Sequence, residues 1–369
     1  MTVPFLDLAA ATAELQAEIH AAVGRVIGSG WYIGGTEVAE FEERYADYCG
    51  AGHCVGVGNG LDALHLTLRA MGVGPGDDVI VASNGFIATW LAVSMTGATP
   101  IPVEPNPLTH NLDPSLVEAA ISERTRVILP THLYGQPADI DPLLEIAKRH
   151  GLRLVEDAAQ AHGAHYKGLR VGAHGDAVTW SFYPSKNLGA LGDGGAVTTN
   201  DPDLARRIRE LGNYGSAKRY VNDVKGVNSR LDPLQAAVLS AKLDYLDEWN
   251  DRRGAIARLY GEKLRHDGVT LPYVSNWAEP VWHLFVVQCE ARDALADWLE
   301  KAGVQTLVHY PIPPHRQRAY ADMKLPEGSL PIAERLARTV LSLPIGPHLS
   351  AANAHQVIEA VCTSKCVMS

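Results

Sequence analysis

The sequence lacks the features of a membrane, secreted or metal-binding protein. No uninterrupted apolar run among its 369 residues is long enough to cross a bilayer, and its start, MTVPFLDLAA, contains neither the basic nor the apolar segment of a secretion signal. Its five cysteines stand at irregular spacing and form neither a CxxC pair nor a zinc-ligand pattern, which indicates reduced thiols. We therefore expect a cytoplasmic protein with no metal ion and no membrane partner.

Positive charge is also scarce. Lysine and arginine total 32 against 42 aspartate and glutamate residues, which gives a formal net charge of -10. This balance argues against a nucleic-acid partner, so an anionic ligand would need a local basic patch. The stretch from Arg206 to Arg230 contains seven cations against two acids, and a solvated helix and loop is the alternative for it. The seven cations are Arg206, Arg207, Arg209, Lys218, Arg219, Lys225 and Arg230.

Between Cys54 and about Asn200, short β-branched runs alternate with segments of helical period. HCVGV is followed by LDALHLTLRAMG, and DDVIVAS by FIATWLAVSMTG, with glycine or proline at most of the joints. This rhythm predicts an α/β fold with a mostly parallel, doubly wound sheet flanked by helices. Further on, the strand WHLFVVQC, the helix RDALADWLEKAG and the turn HYPIPPH predict a smaller α/β domain. We place the large domain at residues 1–250 and the small C-terminal domain at residues 251–369.

The segment GVGNGLDAL, residues 56–64, carries a strand through glycines into a helix. Backbone N–H groups at such a helix start can bind an anion without a cationic side chain. A tight structural turn is one alternative. A dinucleotide-binding turn is another, although the glycine spacing is GxGxG rather than GxGxxG.

The segment VEDAAQAHGA places Asp157 just past a strand of LRLV type. A carboxylate at the carboxyl end of a parallel strand lies where α/β proteins bind ligands, and it could pair with the protonated ring nitrogen of a flat cofactor. Gln160, three residues on, could bond a phenolic oxygen of the same ring. The alternatives are a helix N-cap for Asp157 and an exposed helix position for Gln160.

The segment WSFYPSKNLGALGDGGAV places Lys186 after an apolar strand and before four glycines. Glycines let the backbone approach a ligand closely, and burial lowers the pKa of a lysine toward that of a usable amine. Such a lysine can form a Schiff base and move protons. Ser181 could donate its hydroxyl to a cofactor phosphate. A surface lysine and an ordinary strand-end serine are the alternatives.

Together these segments resemble the DegT/StrS family of nucleotide-sugar aminotransferases, which depend on pyridoxal 5′-phosphate (PLP). The resemblance covers nearly the whole chain and implies the fold-type I aminotransferase architecture. It depends on the order and spacing of many segments rather than on one of them. These are FLDL, SGWYIGG, NGLDAL, SNGFIAT, EDAAQAHGA, SFYPSKNLGALGDGGAV, NYGS, VNSRLDPLQAA and HYPIPPH.

The resemblance also implies roles for individual residues. Lys186 would form the Schiff base with PLP and Asp157 would pair with the pyridine nitrogen, so these two are the predicted catalytic residues. Gln160 would contact the phenolic oxygen. For Phe86, which would stack on the ring, the alternative is an ordinary core aromatic. The other predicted cofactor-binding residues are Gly60, Leu61 and Ser181 at the phosphate, and Asn228 from a neighbouring subunit.

On this resemblance, glutamate would convert PLP to pyridoxamine 5′-phosphate, which would then aminate a ketone on a nucleotide sugar. Asn228 and Arg230 would reach into a neighbouring subunit, which implies a homodimer with shared active sites. Tyr183 and the GDGG run resemble members that aminate C3 of a dTDP-3-keto-6-deoxyhexose, whereas members acting at C4 would carry histidine near position 183 and glutamate near 193. The predicted substrate-binding residues are Tyr183, Lys218, Arg219, Tyr220, Arg230, His309 and Tyr310.

Other functions stay open at the level of the sequence. The acceptor could be a C4 ketone or a cyclitol ketone, because contacts to a sugar ring are poorly encoded in motifs. A regulatory protein that binds PLP without turnover would keep the fold and could keep Lys186. A nicotinamide-dependent oxidoreductase has only the GVGNG segment in its favour.

Overall fold

The computed structural model describes residues 2–364, in which strands and helices alternate along most of the chain. The strands are β1 (His53–Val57), β2 (Asp78–Ala82), β3 (Thr99–Val103), β4 (Thr125–Leu129), β5 (Arg153–Asp157), β6 (His165–Tyr166), β7 (Leu169–Arg170), β8 (Ala177–Ser181), β9 (Gly195–Thr199), β10 (Ala278–Glu279), β11 (Phe285–Gln288) and β12 (Val340–Leu343). The α-helices are α1 (Leu8–Glu14), α2 (Gln16–Ser29), α3 (Thr36–Cys49), α4 (Gly60–Ala70), α5 (Ile87–Thr96), α6 (Pro114–Val117), α7 (Ile140–His150), α8 (Pro202–Gly212), α9 (Pro233–Leu243), α10 (Leu246–Lys263), α11 (Arg292–Lys301), α12 (Pro331–Thr339) and α13 (Ala351–Cys362). Short 3-10 helices span Glu118–Ala120, Leu133–Gly135, Pro314–Arg316 and Arg318–Met323.

Seven strands form one sheet in the order β1-β9-β8-β5-β4-β2-β3. Strands β8, β5, β4, β2 and β3 are parallel neighbours, whereas β9 runs antiparallel to both β1 and β8. The predicted mostly parallel sheet is confirmed, with β9 as the exception. A loop without a crossover helix joins β8 to β9, and such a connection lets the chain reverse beside itself.

Both faces of this sheet are covered by helices. Val79 and Val81 of β2 pack in one apolar cluster with Trp90 of α5. The alternate residue Ile80 packs in a second cluster with Leu143 of α7. Because successive side chains of a strand point to opposite faces, a strand buried on both sides reads as the continuous apolar run DVIVA.

A second core lies toward the C-terminus. Strands β11 and β12 form an antiparallel pair, and α10, α11 and α13 contribute to the same apolar cluster, which Val3 also joins. The predicted domain boundary at residue 250 falls inside α10 (Leu246–Lys263) and stays a prediction. Residues 365–369 of the predicted small domain, with Cys366, lie outside the described residues. Cys49, Cys54 and Cys362 form no disulfide within residues 2–364.

Over residues 2–364, none of the helices combines the length and the apolar character that crossing a membrane requires. The same part of the chain contains no cluster of three or more histidine, cysteine, aspartate or glutamate residues that could hold a metal ion.

Candidate active site

The predicted catalytic residues gather at one edge of the seven-stranded sheet. Strands β1, β5 and β8 run in the same direction, and they end at Val57, Asp157 and Ser181. The start of α4 follows β1, and Lys186 follows β8 in the loop that leads to β9. Open α/β sheets bind ligands beyond the carboxyl ends of their strands, so this edge is the candidate site.

The start of α4 fits an anion. Asn59 caps the helix by accepting a hydrogen bond from the Asp62 amide at 2.8 Å. The amides of Gly60 and Leu61 have no acceptor within residues 2–364, so they are available to a phosphate group. A Cβ atom at Gly60 would lie 2.7 Å from Ser181 Cβ. Glycine therefore lets the helix start and the Ser181 hydroxyl form one cradle.

Asp157 is a buried carboxylate with two hydrogen-bond donors. It is 6% exposed, and Thr89 Oγ1 donates to its Oδ2 at 2.7 Å. The amide of Ala159 donates to its Oδ1 at 3.2 Å. Residues 158–164, all of which the structure describes, form no helix, so the helix N-cap alternative for Asp157 is wrong. The carboxylate is held in one orientation at the end of β5.

Lys186 is a half-buried amine in a tightly folded loop. Burial lowers the pKa of Lys186 to about 8, while the Asp157 carboxylate acts in the opposite direction. A Cβ atom at Gly189 would lie 2.4 Å from the Pro184 carbonyl oxygen, so the loop closes on itself only with glycine there. The arrangement supplies an amine that can give up its proton near neutral pH.

Gln160 and two aromatic rings form a wall of the site. The Gln160 Oε1 accepts from the Tyr134 amide at 2.7 Å, and its Nε2 donates to the Tyr310 hydroxyl at 3.1 Å. Gln160 is 3% exposed, so the exposed helix position is wrong. The rings of Phe86 and Tyr310 lie 5.3 Å apart between centroids, and Phe86 is 52% exposed. The core-aromatic alternative for Phe86 is therefore also wrong.

Three histidines near Lys186 carry no charge at neutral pH. His309 bonds Ser342 Oγ through Nδ1 at 2.8 Å, and burial, assisted by the Lys186 charge, lowers the pKa of His309 to about 4. Burial likewise lowers the pKa of His162 to about 3. Burial also depresses the pKa of His283, whose Nδ1 lies 3.2 Å from Asn187 Oδ1. Their neutrality leaves Lys186 as the titrating amine of this group.

The profile of the DegT/DnrJ/EryC1/StrS aminotransferase family matches residues 13–362. The chain belongs to this family. The erythromycin biosynthesis sensory transduction protein EryC1 of Saccharopolyspora erythraea is 60% identical over 97% of this chain and 98% of that protein. The dTDP-3-amino-3,4,6-trideoxy-alpha-D-glucose transaminase of Streptomyces venezuelae is 57% identical over 97% of this chain and 95% of that protein. The crystal structure of S. venezuelae DesV in complex with a ketimine intermediate has a TM-score of 0.96, with 57% identity and 98% of each chain covered.

Membership of the DegT/DnrJ/EryC1/StrS aminotransferase family confirms three predictions. The family, the fold-type I architecture and PLP as the cofactor are those predicted from the sequence. The alternative interpretation as a nicotinamide-dependent oxidoreductase is wrong. The roles of individual residues stay predictions. The geometry is consistent with them, because the site contains free amides at the start of α4, a buried carboxylate and a lysine with a lowered pKa.

Four of the predicted sugar-binding residues are more exposed than His309 and Tyr310, and these four are Tyr183, Lys218, Arg219 and Tyr220. Tyr183 is 56% exposed and Tyr220 is 84% exposed. Lys218 and Arg219 are exposed and make no ion pair with any residue between 2 and 364, and the Arg219 guanidinium lies 4.9 Å from the centre of the Tyr220 ring. Asn228 is exposed as well. The Tyr183 carbonyl accepts a hydrogen bond from the Lys186 amide at 2.8 Å. Within residues 2–364, no side-chain hydrogen bond joins these residues to Asp157, Gln160 or Lys186.

The structure reduces the free charge of the predicted basic patch. Arg206 is paired with Asp203 and Glu210 at 3.1 and 3.0 Å, and Arg209 is paired with Glu42. These two cations are neutralised locally. Arg230 donates to Asn213 Oδ1 at 3.0 Å and lines a groove of about 830 Å³ that none of the predicted catalytic residues reaches.

Thr89, His162 and His283 escaped the sequence-based reasoning. Thr89 follows Phe86 in an otherwise apolar stretch, and its partner Asp157 lies 68 positions away along the chain. In the sequence, Thr89 stands out only as a polar residue within an apolar stretch. That pattern does not indicate which residue it bonds. The histidines of AQAHGA and VWHLF gave no signal beyond their residue type.

Proposed function

We propose that this aminotransferase moves an amino group from glutamate to C3 of a dTDP-3-keto-6-deoxyhexose, with PLP as its cofactor. One observation carries the proposal: Lys186, with a pKa lowered to about 8, shares one sheet edge with the buried Asp157 carboxylate and an anion cradle. The likeness to a transaminase named for a dTDP-3-amino sugar, 57% identical over 97% of this chain, supports C3 as the position of transfer.

The residues of the site fit PLP. The Gly60 and Leu61 amides with the Ser181 hydroxyl would bind the phosphate, and Asp157 would bind the protonated ring nitrogen. When bound, PLP supplies an electron-withdrawing ring that stabilises negative charge on the carbon whose proton is moved. Gln160 keeps one Nε2 hydrogen beyond its bond to Tyr310 and would donate it to the phenolic oxygen.

Lys186 would move the proton in both half-reactions. A general acid and base works best when its pKa lies near the operating pH. Burial lowers the pKa of the Lys186 amine to about 8. The amine could then take a proton from the donor amino acid and return one to the sugar. The neutral histidines nearby, His162, His283 and His309, leave that proton to Lys186.

The sugar nucleotide would meet the exposed residues of the site. Lys218 and Arg219 carry charges that no described acid neutralises, so they suit a diphosphate, and Tyr220 stands beside Arg219. Tyr183, exposed next to the Lys186 loop, would face the sugar. His309 and Tyr310 would complete this side of the pocket.

A homodimer would bring the two halves of the site together. Trp31, Tyr32 and Ile33 are consecutive and are 64%, 51% and 53% exposed, which is unusual for a monomer surface. Covering this patch with a second copy would bury it. In that arrangement Asn228 and Arg230 would reach the cofactor and substrate of the partner. The cytoplasmic location stays a prediction.

A regulatory protein without turnover is the second candidate, because the relative at 60% identity is named as a sensory transduction protein. Binding alone needs the cradle and Asp157, but it does not need a lysine whose pKa lies near neutral. Turnover separates the two functions. An aminotransferase that acts on a C4 ketone or a cyclitol ketone is separated by the choice of acceptor.

The test follows the absorbance band of the bound cofactor. Glutamate is added to the purified protein, then a dTDP-3-keto-6-deoxyhexose, and the series is repeated with Lys186→Ala. We expect glutamate to remove the band of the unaltered protein and the keto-sugar to restore it. With Lys186→Ala, neither addition should change the spectrum in this way. If the band returns only with a C4 ketone or a cyclitol ketone, the substrate is wrong. If glutamate never changes it, the regulatory function replaces the enzyme.

A further inference from the structure

The hydrogen bond between Thr89 and Asp157 is a short, fully enclosed contact. Thr89 Oγ1 lies 2.7 Å from Asp157 Oδ2, and the two residues are 3% and 6% exposed. A hydroxyl that bonds a carboxylate away from water contributes more than a bond between neutral groups, because the acceptor carries the charge. Ala159 bonds the other oxygen through its amide. Among residues 2–364, Thr89 is the one residue that bonds the carboxylate from another element.

Both partners are fixed by the packing around them. Thr89 lies in the first turn of α5. The residue after it, Trp90, is fully buried and donates its indole N–H to the Ala82 carbonyl at 3.0 Å. Asp157 is bonded through its own amide to the Pro130 carbonyl at 2.9 Å. The hydroxyl and the carboxylate therefore meet on two rigid elements.

The same helix start carries Phe86. Phe86 is the residue before α5, its ring opens to the site, and Thr89 stands one turn further into the protein. The beginning of α5 thus presents an aromatic face to the site and a hydroxyl to the carboxylate behind it. A shift of α5 would move both groups at once.

We propose that Thr89 is a positioning residue that holds Asp157 for the protonated ring nitrogen of the cofactor. The proposal rests on the proposed function, in which Asp157 binds that nitrogen. The donated hydrogen bond stops the carboxylate from turning about its last side-chain bond. Without it, a buried carboxylate loses a donor, and its contact with the ring nitrogen weakens.

A purely structural role is the competing explanation, since any buried hydroxyl needs an acceptor. The two explanations differ in what they depend on. A positioning role depends on the ring nitrogen, whereas a structural role does not. 1-Deaza-pyridoxal 5′-phosphate, in which carbon replaces that nitrogen, separates them.

The experiment measures the dissociation constants of the full-length apoprotein for PLP and for the 1-deaza analogue. The variants are Thr89→Val, which keeps the shape and removes the hydroxyl, and Thr89→Ser, which keeps the hydroxyl. Thr67→Val is the matched control, because Thr67 is also a fully buried helical threonine but bonds the Ala63 carbonyl. Unfolding temperatures are recorded for each variant. Should Thr89→Val not fold, Thr89→Ala takes its place.

We expect Thr89→Val to weaken PLP binding by about tenfold, the effect of losing one charge-assisted hydrogen bond. The same variant should change the affinity for the 1-deaza analogue less than about twofold, and Thr89→Ser should restore most of the loss. Thr67→Val should leave both affinities unchanged. An equal loss for both compounds overturns the positioning role while leaving the proposed function intact. Failure of the unaltered protein to bind PLP overturns the proposed function itself.

Discussion

The residues around Asp157 differ from the segment of residues 213–230 in burial and in how many of their polar groups have partners within the chain. Asp157 and Gln160 are buried, and each makes two hydrogen bonds that fix its side chain. In the segment, Lys218 and Arg219 are exposed without an acidic partner in the described chain, and the ring of Tyr220 is 84% exposed. The polar groups of the first region have their partners within the chain, whereas the second region exposes charge and apolar surface.

This difference indicates a division of work. The chemistry common to aminotransferases needs a rigid carboxylate and an amine with a set pKa, and burial provides both. Recognition of a bulky, charged acceptor needs a surface that the acceptor can enter, so its residues cannot be buried before binding. Changes in the first region should affect the cofactor, and changes at Lys218, Arg219 and Tyr220 in the second should affect the sugar nucleotide alone.

The largest effect is expected from Lys186→Ala. Loss of the amine that moves the proton should lower turnover by about 10⁴-fold, the upper range for a general acid and base. Lys242→Met is the control. Lys242 is buried and, like Lys186, has a pKa lowered to about 8, but its Nζ donates to the Gly189 carbonyl. Assays of amino-sugar formation should show the loss of turnover for Lys186→Ala and not for Lys242→Met.

Gly60→Ala should weaken PLP binding by about tenfold or more. The added Cβ atom would lie 2.7 Å from Ser181 Cβ, which forces the helix start away from the serine hydroxyl. Gly24→Ala is the matched control, because a Cβ there meets nothing within 4 Å in the interior of α2. Titration of the apoproteins with PLP compares the two. Equal affinities would refute the cradle.

The double variant Lys218→Ala, Arg219→Ala should raise the KM for the sugar nucleotide by about tenfold, since each lost cation removes a charge-assisted contact with the diphosphate. The reaction with glutamate alone should not change. Arg206→Ala is the control, because Asp203 and Glu210 already neutralise that cation. A slower glutamate reaction in the double variant would contradict the division between the two regions.

A smaller effect concerns the titration of Lys186. The Asp157 carboxylate raises the pKa of Lys186 against the larger lowering by burial, so Asp157→Asn should lower it further below about 8. Lysine reacts as the free amine, which is present above its pKa. Labelling of Lys186 in the apoprotein by an amine-reactive reagent, followed by mass spectrometry, should therefore reach half its maximal rate at a lower pH. Asp223→Asn, in the exposed segment, should leave the profile unchanged.

Local patterns in the sequence predicted most of the fold and the centre of the site. Alternating apolar runs and helical periods revealed the sheet, and the positions of Asp157 and Lys186 after strands placed them at its carboxyl edge. The reversed direction of β9 was not predicted, because an apolar strand run reads the same in either direction.

Contacts between distant residues explain what the sequence left out. The pair of Arg206 and Glu210 follows helix spacing and could have been read, but Arg209 and Glu42 are 167 positions apart. Counting charges along the chain therefore overstated the basic patch. Thr89 escaped notice for the same reason, since its role depends on a carboxylate that only the folded sheet brings near.

The most direct test of the central claim is to follow the nitrogen. The unaltered protein is incubated with ¹⁵N-labelled glutamate and a dTDP-3-keto-6-deoxyhexose, and the sugar product is examined by nuclear magnetic resonance. We predict that ¹⁵N appears on C3 of the sugar and that Lys186→Ala transfers none. Label at another carbon would contradict the assignment of C3, and the absence of label from the sugar would contradict the transfer itself.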